Sequence, residues 1–534
     1  MSAKPSRPLG IRGIMLDPAR LTERHEFYFD TLGKLAEWGY NTLWWHFVDD
    51  EGFVLKLDSH PELATPYAFS KAETRRFVKA AKQVGIEVVP EVECLGHARY
   101  LTRLPQYAHL ADGDAHAFNA VCPSHRDTVP LLTEIIEEVA DLFDGEYFHA
   151  GLDEVNLSGC KRCRRRMAGR PAWRIFTDHT KKLHEVITGC GKRMIMWADH
   201  VEKAPAMLKA LPKDIVLCHW HYGEVNANKV FERSLAAGFE IVGGCSMLRH
   251  RDVIQPKSRQ LRNTEQMVAT GRRLAGKGML GAVTTWWTAR RILRDTGLPI
   301  AAYTGHLLSG GVANRAAFFQ RYVQKEFGVR SKAAGNALAA LHDKTLNLTE
   351  LLAVSMDSPA DLVSAVAMAG QKDFAERAAD VRRANDAIST VARKAKRNLD
   401  QAKALVLSGQ VAEGLLTNAL DLVEAHKFYS RAEFLKDRGY ERSEVAQPLE
   451  EVAGILGKMV SRLSGLCKEV SSEWDRTRHP GDAKKATRDL SVPCPVDSLL
   501  GRQARSRKYL ESLRRGLERG TKAYLKGGPF PTGL

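Results

Sequence analysis

Residues 149–155 read His-Ala-Gly-Leu-Asp-Glu-Val and follow the short apolar pair Tyr147 and Phe148, which predicts a buried strand over 147–151. Neighbouring residues of a strand point to opposite sides, so Asp153 and Glu154 can act as separate groups only where the strand ends and the chain turns. Strand ends of this kind carry the chemistry of many α/β enzymes. An acidic helix start, in which Asp or Glu caps the next helix, is the alternative interpretation.

Short β-prone runs alternate with helical stretches between residue 11 and about residue 290. Such alternation is typical of repeated βα units around a parallel sheet. The stretches 127–143 and 174–188 carry apolar residues at helical spacing. The β-prone runs are residues 11–16, 42–47, 86–91, 147–151, 194–197, 215–220, 240–243 and 281–286. Eight such runs predict an α/β fold, a closed (β/α)8 TIM barrel within residues 1–330.

Residues 331–534 lack strand signals and are rich in Ala, Leu, Glu, Lys and Arg. Val452, Leu456, Met459 and Leu463 fall on one face of a helix. Long amphipathic helices need partners, so this part predicts an all-α helical bundle domain packed on or beside the barrel. The helical domain also carries the predicted contact surface of a homo-oligomer. Residues 479–495 predict a loop, and residues 527–534 predict a loose tail.

Composition and charge bear on where the protein is located and on which partners it binds. The 534 residues carry a formal net charge of +16 and nine cysteines. No apolar run approaches the roughly 20 residues of a membrane span, and the amino terminus lacks a secretory signal, so we expect no membrane partner and a cytoplasmic location. Scattered cysteines in a chain this long predict reduced thiols. The positive charge favours polyanions, but the basic helical region has no recognised nucleic-acid motif, which argues against nucleic acid as a partner.

The stretch 149–155 resembles the His-x-Gly-Gly-Asp-Glu signature of family 20 glycoside hydrolases, the β-N-acetylhexosaminidases, with Leu152 in place of the second glycine. Three further segments match in the family's order. Residues 12–17 resemble its first barrel strand, residues 41–52 its second strand with a terminal Asp-Asp pair, and residues 90–98 its Pro-Glu-x-Asp-x-Pro-Gly-His-Ala strand and loop. By these four matches the barrel is identified as a divergent member of the family.

The resemblance implies a retaining exo-glycosidase that releases terminal β-linked GlcNAc or GalNAc from a glycan or glycoconjugate, without a cofactor or metal. The family uses substrate assistance, in which the sugar's own 2-acetamido oxygen attacks the anomeric carbon. By resemblance, Glu154 is the general acid and base and Asp153 orients the acetamido group. His149 supports the acid, and His97 lies near the catalytic aspartate. A donor acid must hold its proton near neutral pH, so we expect a raised pKa for Glu154.

Sugar rings expose apolar C–H faces that bind to aromatic walls, while polar groups contact the hydroxyls. By resemblance, the binding residues are Trp197, Trp220, Trp287, Arg12, Asp49 and Asp50.

Two departures from the family pattern bear on the substrate. The family has Trp-x-Glu at strand eight where this chain has Trp287, Thr288 and Ala289, and residues 244–250 after strand seven include no tyrosine. Tyr222, just after strand six, is the candidate substitute for that tyrosine. A β-hexosidase of other specificity and a catalytically lapsed glycan-binding protein therefore stay open as alternatives.

Cys160 and Cys163 form a Cys-x-x-Cys pair shortly after the carboxylates. With Cys94 and Cys122 on neighbouring loops, a four-thiolate zinc site is conceivable. A single Cys-x-x-Cys pair is a weak signal, so the pattern favours reduced cysteines that steady a loop, and no metal is expected. The basic run at 161–166 predicts either attraction for an anionic glycan or a solvated helix face.

Overall fold

The computed structural model describes residues 7–113, 120–157, 160–223, 228–248, 258–287, 292–344, 371–479 and 499–532. Eight parallel strands close into a barrel and a separate sheet has three strands, which confirms the predicted (β/α)8 architecture. The strands are β1 (Ile11–Leu16), β2 (Thr42–His46), β3 (Val48–Asp49), β4 (Gly52–Leu55), β5 (Ala64–Phe69), β6 (Glu87–Glu91), β7 (Tyr147–His149), β8 (Arg193–Trp197), β9 (Val216–Trp220), β10 (Ile241–Leu248) and β11 (Met279–Trp286).

Neighbouring barrel strands follow the order of the chain, from β1 through β2 and β6 to β11, and β11 pairs with β1. The small sheet of β3, β4 and β5 interrupts the connection between β2 and β6. Because the strands are parallel, all their carboxyl ends meet at one rim. Strand β7 ends at His149 and strand β10 continues to Leu248, so these two strands differ in length from their sequence predictions.

Helices surround the barrel and continue beyond it. They are α1 (His25–Glu37), α2 (Lys71–Gln83), α3 (Arg99–Thr102), α4 (Thr128–Ala140), α5 (Lys161–Met167), α6 (Trp173–Gly189), α7 (Asp199–Lys203), α8 (Asn228–Ala236), α9 (Ser258–Leu274), α10 (Leu298–Leu308), α11 (Arg315–Phe327), α12 (Lys332–Lys344), α13 (Gln371–Lys394), α14 (Leu399–Asp437), α15 (Arg442–Thr477) and α16 (Leu499–Leu525). Short 3-10 helices occupy Pro61–Leu63, Ala108–Leu110, Pro205–Lys209, Ala275–Lys277 and Arg294–Gly297. None of the described helices is long and apolar enough to span a membrane.

Two apolar cores follow from the alternation of side chains along the strands. One set of strand residues points into the barrel and fills it, whereas the other packs against the surrounding helices. The inner core consists of Met15, Trp44, Val89, Ile195, Trp197, Val216, Cys218, Val242 and Val283. Because side chains fill the barrel, a substrate can reach only its rim.

The helical region is a bundle in which α13 packs on α14, α14 on α15, and α15 on α16. The apolar stripe predicted on α15 is buried, including Leu456 and Leu463. The predicted loop at 479–495 lies almost wholly outside the described residues. The predicted loose tail is wrong for residues 527–532, because Tyr429 donates a hydrogen bond to the Pro531 carbonyl at 2.8 Å and packs against Phe530.

The bundle is attached to the barrel through a buried ion pair. Arg478, which is fully buried, lies 3.1 Å from the Glu23 carboxylate and donates to the Ile292 carbonyl at 2.9 Å. Its guanidinium stacks 3.8 Å from the ring centre of Trp474. These contacts join the end of α15 to two barrel loops.

Candidate active site

The chain reverses sharply after β7 and thereby presents both carboxylates at the rim of the barrel. Gly151, Leu152 and Glu154 all have left-handed backbone angles, with φ of 66°, 78° and 50°. For residues with a side chain this conformation is strained, and such strain clusters at functional sites. Glycine is required at 151, because an added Cβ would lie 2.0 Å from Oε2 of Glu93.

His97 stands at the centre of four carboxylates. Its Nδ1 is 3.5 Å from both Asp49 Oδ1 and Asp50 Oδ2, and its Nε2 is 3.8 Å from Asp153 Oδ2 and 3.5 Å from Glu154 Oε2. Burial by itself lowers the pKa of His97, but the charges of Asp49 and Asp153 outweigh burial and hold the pKa well above its usual range. His97 is therefore an imidazolium at neutral pH and links the loop after β6 to the carboxylate pair.

Asp153 and Glu154 have opposite pKa shifts. Burial raises the pKa of Asp153 to about 7, with further contributions from the charges of Asp199 and Glu154. The hydrogen bond from His97 lowers the pKa of Glu154, whose side chain is 43% exposed. The expected raised pKa of Glu154 is thus wrong for this structure, because an imidazolium faces a carboxylate that water still reaches.

A buried acidic layer lies beneath the pair. Glu93, which sequence reasoning did not single out as a site residue, is almost fully buried, and burial followed by the charge of Asp153 holds its pKa well above the usual range. Glu91 contacts His46 at 3.0 Å and His149 at 3.3 Å. The only signal for Glu93 in the sequence was its place in the third-strand motif, where the family has Asp.

Comparisons with known proteins identify the family of the barrel. Residues 10–275 match the model of the glycosyl hydrolase family 20 catalytic domain, and this range contains His97, Asp153 and Glu154. The barrel belongs to glycosyl hydrolase family 20. The match ends before β11 and does not include the helical bundle.

The relatives of this family 20 barrel are distant. The beta-hexosaminidase of Vibrio furnissii is 25% identical over 282 residues, which cover 46% of this chain and 44% of the relative. The human beta-hexosaminidase subunit beta is 25% identical over 226 residues, covering 38% and 40% of the two chains. The chain thus spans less than half the length of these curated relatives. The crystal structure of a beta-N-acetylhexosaminidase from Bacteroides fragilis shares the fold, with a TM-score of 0.50 at 20% identity over 59% of this chain and 69% of that one.

The aromatic residues predicted for the family 20 site divide into two groups. Trp220, Tyr222 and Trp287 are partly exposed at the rim, where the Trp287 indole N–H donates to the Tyr222 hydroxyl at 2.7 Å and the Trp220 and Tyr222 rings are 5.1 Å apart. Trp197 is instead buried and donates its indole N–H to Glu91 at 2.8 Å. Its ring forms part of the barrel core beneath the rim.

His149 also belongs beneath the rim of the family 20 barrel. Its ring packs 4.9 Å from Trp44 and 4.6 Å from Trp197, and its Nδ1 accepts the Gly151 N–H at 3.0 Å. Burial lowers the pKa of His149 to about 4, so the ring is neutral. The structure therefore gives His149 a place in positioning the turn rather than direct contact with the acid.

Arg12 is not brought into the family 20 site, which corrects the expectation that it grips the sugar. Arg12 is the second residue of β1, at the amino-terminal end of the barrel, and its guanidinium donates to the carbonyls of Gly39 and Leu9 at 2.6 and 2.9 Å. Arg20 does lie at the rim, 2.6 Å from Asp49 and 4.9 Å from the ring centre of Trp287. The sequence signal that could have identified Arg20 was its position just past the end of β1.

Asp49 and Asp50 reach the family 20 site but are engaged by the protein. Asp49 Oδ2 is 2.7 Å from His46 Nε2 and 2.6 Å from Arg20, while Oδ1 accepts the Asp50 N–H at 2.6 Å. Asp50 accepts the Arg99 N–H at 3.1 Å. Asp49 thus anchors Arg20 and His97. Ala289, predicted to mark a departure after β11, lies outside the described residues.

Proposed function

We propose that the protein is a retaining exo-acting hydrolase of terminal β-linked N-acetylhexosamine, GlcNAc or GalNAc, on a glycan or glycoconjugate. The observation that carries this proposal is the left-handed turn after β7, which presents Asp153 and Glu154 together at the rim of a family 20 barrel. Neighbouring carboxylates cannot flank a sugar ring as an acid and a separate nucleophile. Substrate assistance removes that difficulty, since the acetamido oxygen is the nucleophile.

In the proposed reaction, Glu154 donates its proton to the glycosidic oxygen while the acetamido oxygen bonds to the anomeric carbon. The bond to the leaving alcohol breaks, and the resulting oxazolinium ion carries a positive charge next to Asp153. Ionised Glu154 then takes a proton from water as the water oxygen bonds to the anomeric carbon. The bond from that carbon to the acetamido oxygen breaks, and the sugar is released with net retention. Asp153, buried more deeply, accepts the acetamido N–H and stabilises the charge.

In the free protein the pKa of Asp153 is raised and that of Glu154 is lowered, so the proposed roles require substrate binding to reverse this order. A sugar bound over the half-exposed Glu154 excludes water, and loss of water raises the pKa of a carboxyl group toward that of a useful proton donor. Conversely, a positive charge that develops beside Asp153 favours its ionised form. Tyr222 supplies the hydroxyl for the acetamido oxygen, since burial and nearby groups that include Asp153 raise its pKa and keep it protonated.

Chromogenic β-glycosides test the proposal directly. We expect the wild-type protein to hydrolyse β-GlcNAc or β-GalNAc substrates but not β-glucosides or β-galactosides, and a thiazoline analogue to inhibit it. Glu154→Gln and Asp153→Asn each lower kcat by about 10²- to 10⁴-fold, the range of general acid and base contributions. Glu146→Gln, at the opposite end of β7, is the matched control and retains activity.

The outcomes separate the alternatives. Turnover of a plain β-glucoside at a comparable rate would reject substrate assistance and support a β-hexosidase of other specificity. Binding of an amino sugar without release from any substrate would instead support a lapsed glycan-binding protein.

A reducing, cytoplasmic setting is a further part of the proposal. The eight cysteines within the described residues are all free thiols, although Cys122 and Cys160 are 3.4 Å apart. Fractionation of the source cells checks the location.

The homo-oligomer expected through the helical region is also part of the proposal. Size-exclusion chromatography with light scattering measures the oligomeric state.

A further inference from the structure

Three cysteines and one aspartate meet between the loops that follow β6 and β7. Cys122 Sγ lies 3.4 Å from Cys160 Sγ and 3.6 Å from Cys163 Sγ. A carboxylate oxygen of Asp112 joins these three sulfur atoms in a group whose members all lie within 4.8 Å of one another. Cys94 is not a member, since its thiol donates to the Val92 carbonyl at 3.2 Å. The four-thiolate set considered from the sequence is therefore replaced by three thiols and a carboxylate.

We propose that Asp112, Cys122, Cys160 and Cys163 bind one structural zinc ion. Tetrahedral zinc with Zn–S bonds of about 2.3 Å places its thiolates roughly 3.8 Å apart, close to the observed separations. A disulfide would require about 2.05 Å. Three soft thiolates favour zinc over magnesium or calcium, and four protein ligands leave no open position for a substrate.

The surroundings of Asp112 independently indicate a ligand. Both of its carboxylate oxygens are shielded from solvent, and within the described residues only the Cys163 thiol interacts with them as a hydrogen-bond donor. Leaving a carboxylate buried with so few partners is costly. A cation at this position removes that penalty.

Hydrogen-bond donors surround Cys122, which binds a metal as its thiolate. The Cys163 thiol lies 3.6 Å from Cys122 Sγ, and the backbone N–H groups of Ser124 and His125 also interact with this sulfur. Such outer contacts to ligand atoms are typical of metal sites. Arg162 acts on Cys122 and Arg164 on Asp112 electrostatically, so cations offset the net negative charge of four anionic ligands around Zn²⁺.

The location gives the ion a mechanical role. Asp112 and Cys122 lie on the connection between β6 and α4, which also carries His97, whereas Cys160 follows Glu154 after a short loop. A zinc ion bonded to both segments ties the loop of Asp153 and Glu154 to the loop of His97. It acts as a clamp beside the carboxylates and takes no part in the chemistry.

Metal analysis of the purified, tag-free full chain tests the proposal without any activity measurement. We expect about one zinc per wild-type chain, and loss of that zinc on mild chelation in Cys160→Ser, Cys122→Ser and Asp112→Asn. Cys190→Ser and Cys467→Ser, which alter thiols outside the group, retain it. Cobalt added to the metal-free protein produces thiolate charge-transfer absorption and the visible bands of tetrahedral Co²⁺, which Cys122→Ser loses.

Two results would overturn the zinc site. One is an intact mass and peptide map that show a disulfide between Cys122 and either partner in protein purified under air and under reductant. The other is wild-type protein that neither contains zinc nor takes up zinc or cobalt after reduction. Because the wild-type chain alone gives these answers, poor folding of a cysteine variant does not obscure them. A protein that binds zinc but has no activity would contradict the proposed hydrolase activity and would support the zinc site.

Discussion

Asp153 and Glu154 are chain neighbours whose surroundings differ. The side chain of Asp153 is 13% exposed and lies over buried Glu93, whereas that of Glu154 is 43% exposed and faces His97. Burial raises the pKa of Asp153 by more than the His97 charge, 3.8 Å away, lowers it, whereas the hydrogen bond from His97 prevails at the more exposed Glu154. The free protein therefore holds a proton more firmly on Asp153 than on Glu154, and the proposed roles require a bound sugar to reverse this order.

The raised pKa of Asp153 predicts a pH-dependent stability penalty. A folded-state pKa of about 7, above the ordinary 3.8, means that the folded protein binds more protons than the unfolded chain between these values. Stability from this group therefore falls as pH rises from about 4 to about 7. We expect Asp153→Asn to raise Tm by several degrees at pH 8 and much less at pH 4.

Thermal unfolding of wild type and variant across this pH range measures the difference. Asp144→Asn, an exposed carboxylate near the opposite end of the same strand, shows no such trend. An Asp153→Asn effect that is equal at both pH values would contradict the assignment of a raised pKa.

At the scale of elements, the turn after β7 determines where the carboxylates point. Strand pairing of β7 with β8 ends at His149, and the left-handed residues then redirect the chain over Glu93. The sequence predicted the strand and its carboxylates, because apolar periodicity is a local property. The predicted bounds of β1 match the structure, but the family resemblance assigned Arg12 to the sugar, and the closed barrel places Arg12 at the end opposite the carboxylates and Arg20 at the rim.

Gly151→Ala tests the turn, because the new methyl group would lie 2.0 Å from Glu93 Oε2 at a φ of 66°. We expect a loss of about 1–3 kcal/mol in the free energy of unfolding and, from displacement of the carboxylates, a fall in kcat of up to about 10²-fold. Denaturant unfolding and amino-sugar hydrolysis measure the two effects.

Gly85→Ala is a matched control, since Gly85 has a φ of 76° but nothing near its added Cβ. Its loss in the free energy of unfolding measures only the cost of placing a side chain at a positive φ. Equal losses in the two variants would show that the contact with Glu93 does not matter.

At the scale of the whole molecule, the helical bundle and the barrel share a buried ionic joint. Arg478 and Glu23 are 455 residues apart in the chain yet form a pair that excludes water. Arg24 strengthens the same joint by donating to the Arg478 carbonyl at 3.0 Å. The bundle thereby braces the barrel, and its helices are fixed relative to the loops after β1 and β11.

Removing one partner of this pair leaves the other charge buried. We expect Arg478→Met to lower the free energy of unfolding by about 3–5 kcal/mol, the range for a broken buried pair. The double variant Glu23→Gln with Arg478→Met recovers part of that loss, because no uncompensated carboxylate remains. Urea unfolding measures both values.

Arg514→Ala provides the comparison for a surface pair, since Arg514 contacts Glu511 and Glu518 on α16. Such pairs contribute at most about 1 kcal/mol. If Arg478→Met cost no more than this control, the joint would not hold the bundle to the barrel.

Local patterns in the sequence were sufficient for the eight strands, the helical second part and the Asp153–Glu154 motif, because hydrophobic periodicity and short motifs need no distant contact. Folding was needed to gather His97, Glu93 and Arg20 around that motif, to bury Trp197 and His149, and to bring Asp112 to the cysteines. Proximity across loops and exclusion of water arise from packing between segments far apart in the chain. The pKa shifts of the carboxylates depend on those same two conditions, so the charges at the site follow from the packed barrel and could not be predicted from its strands alone.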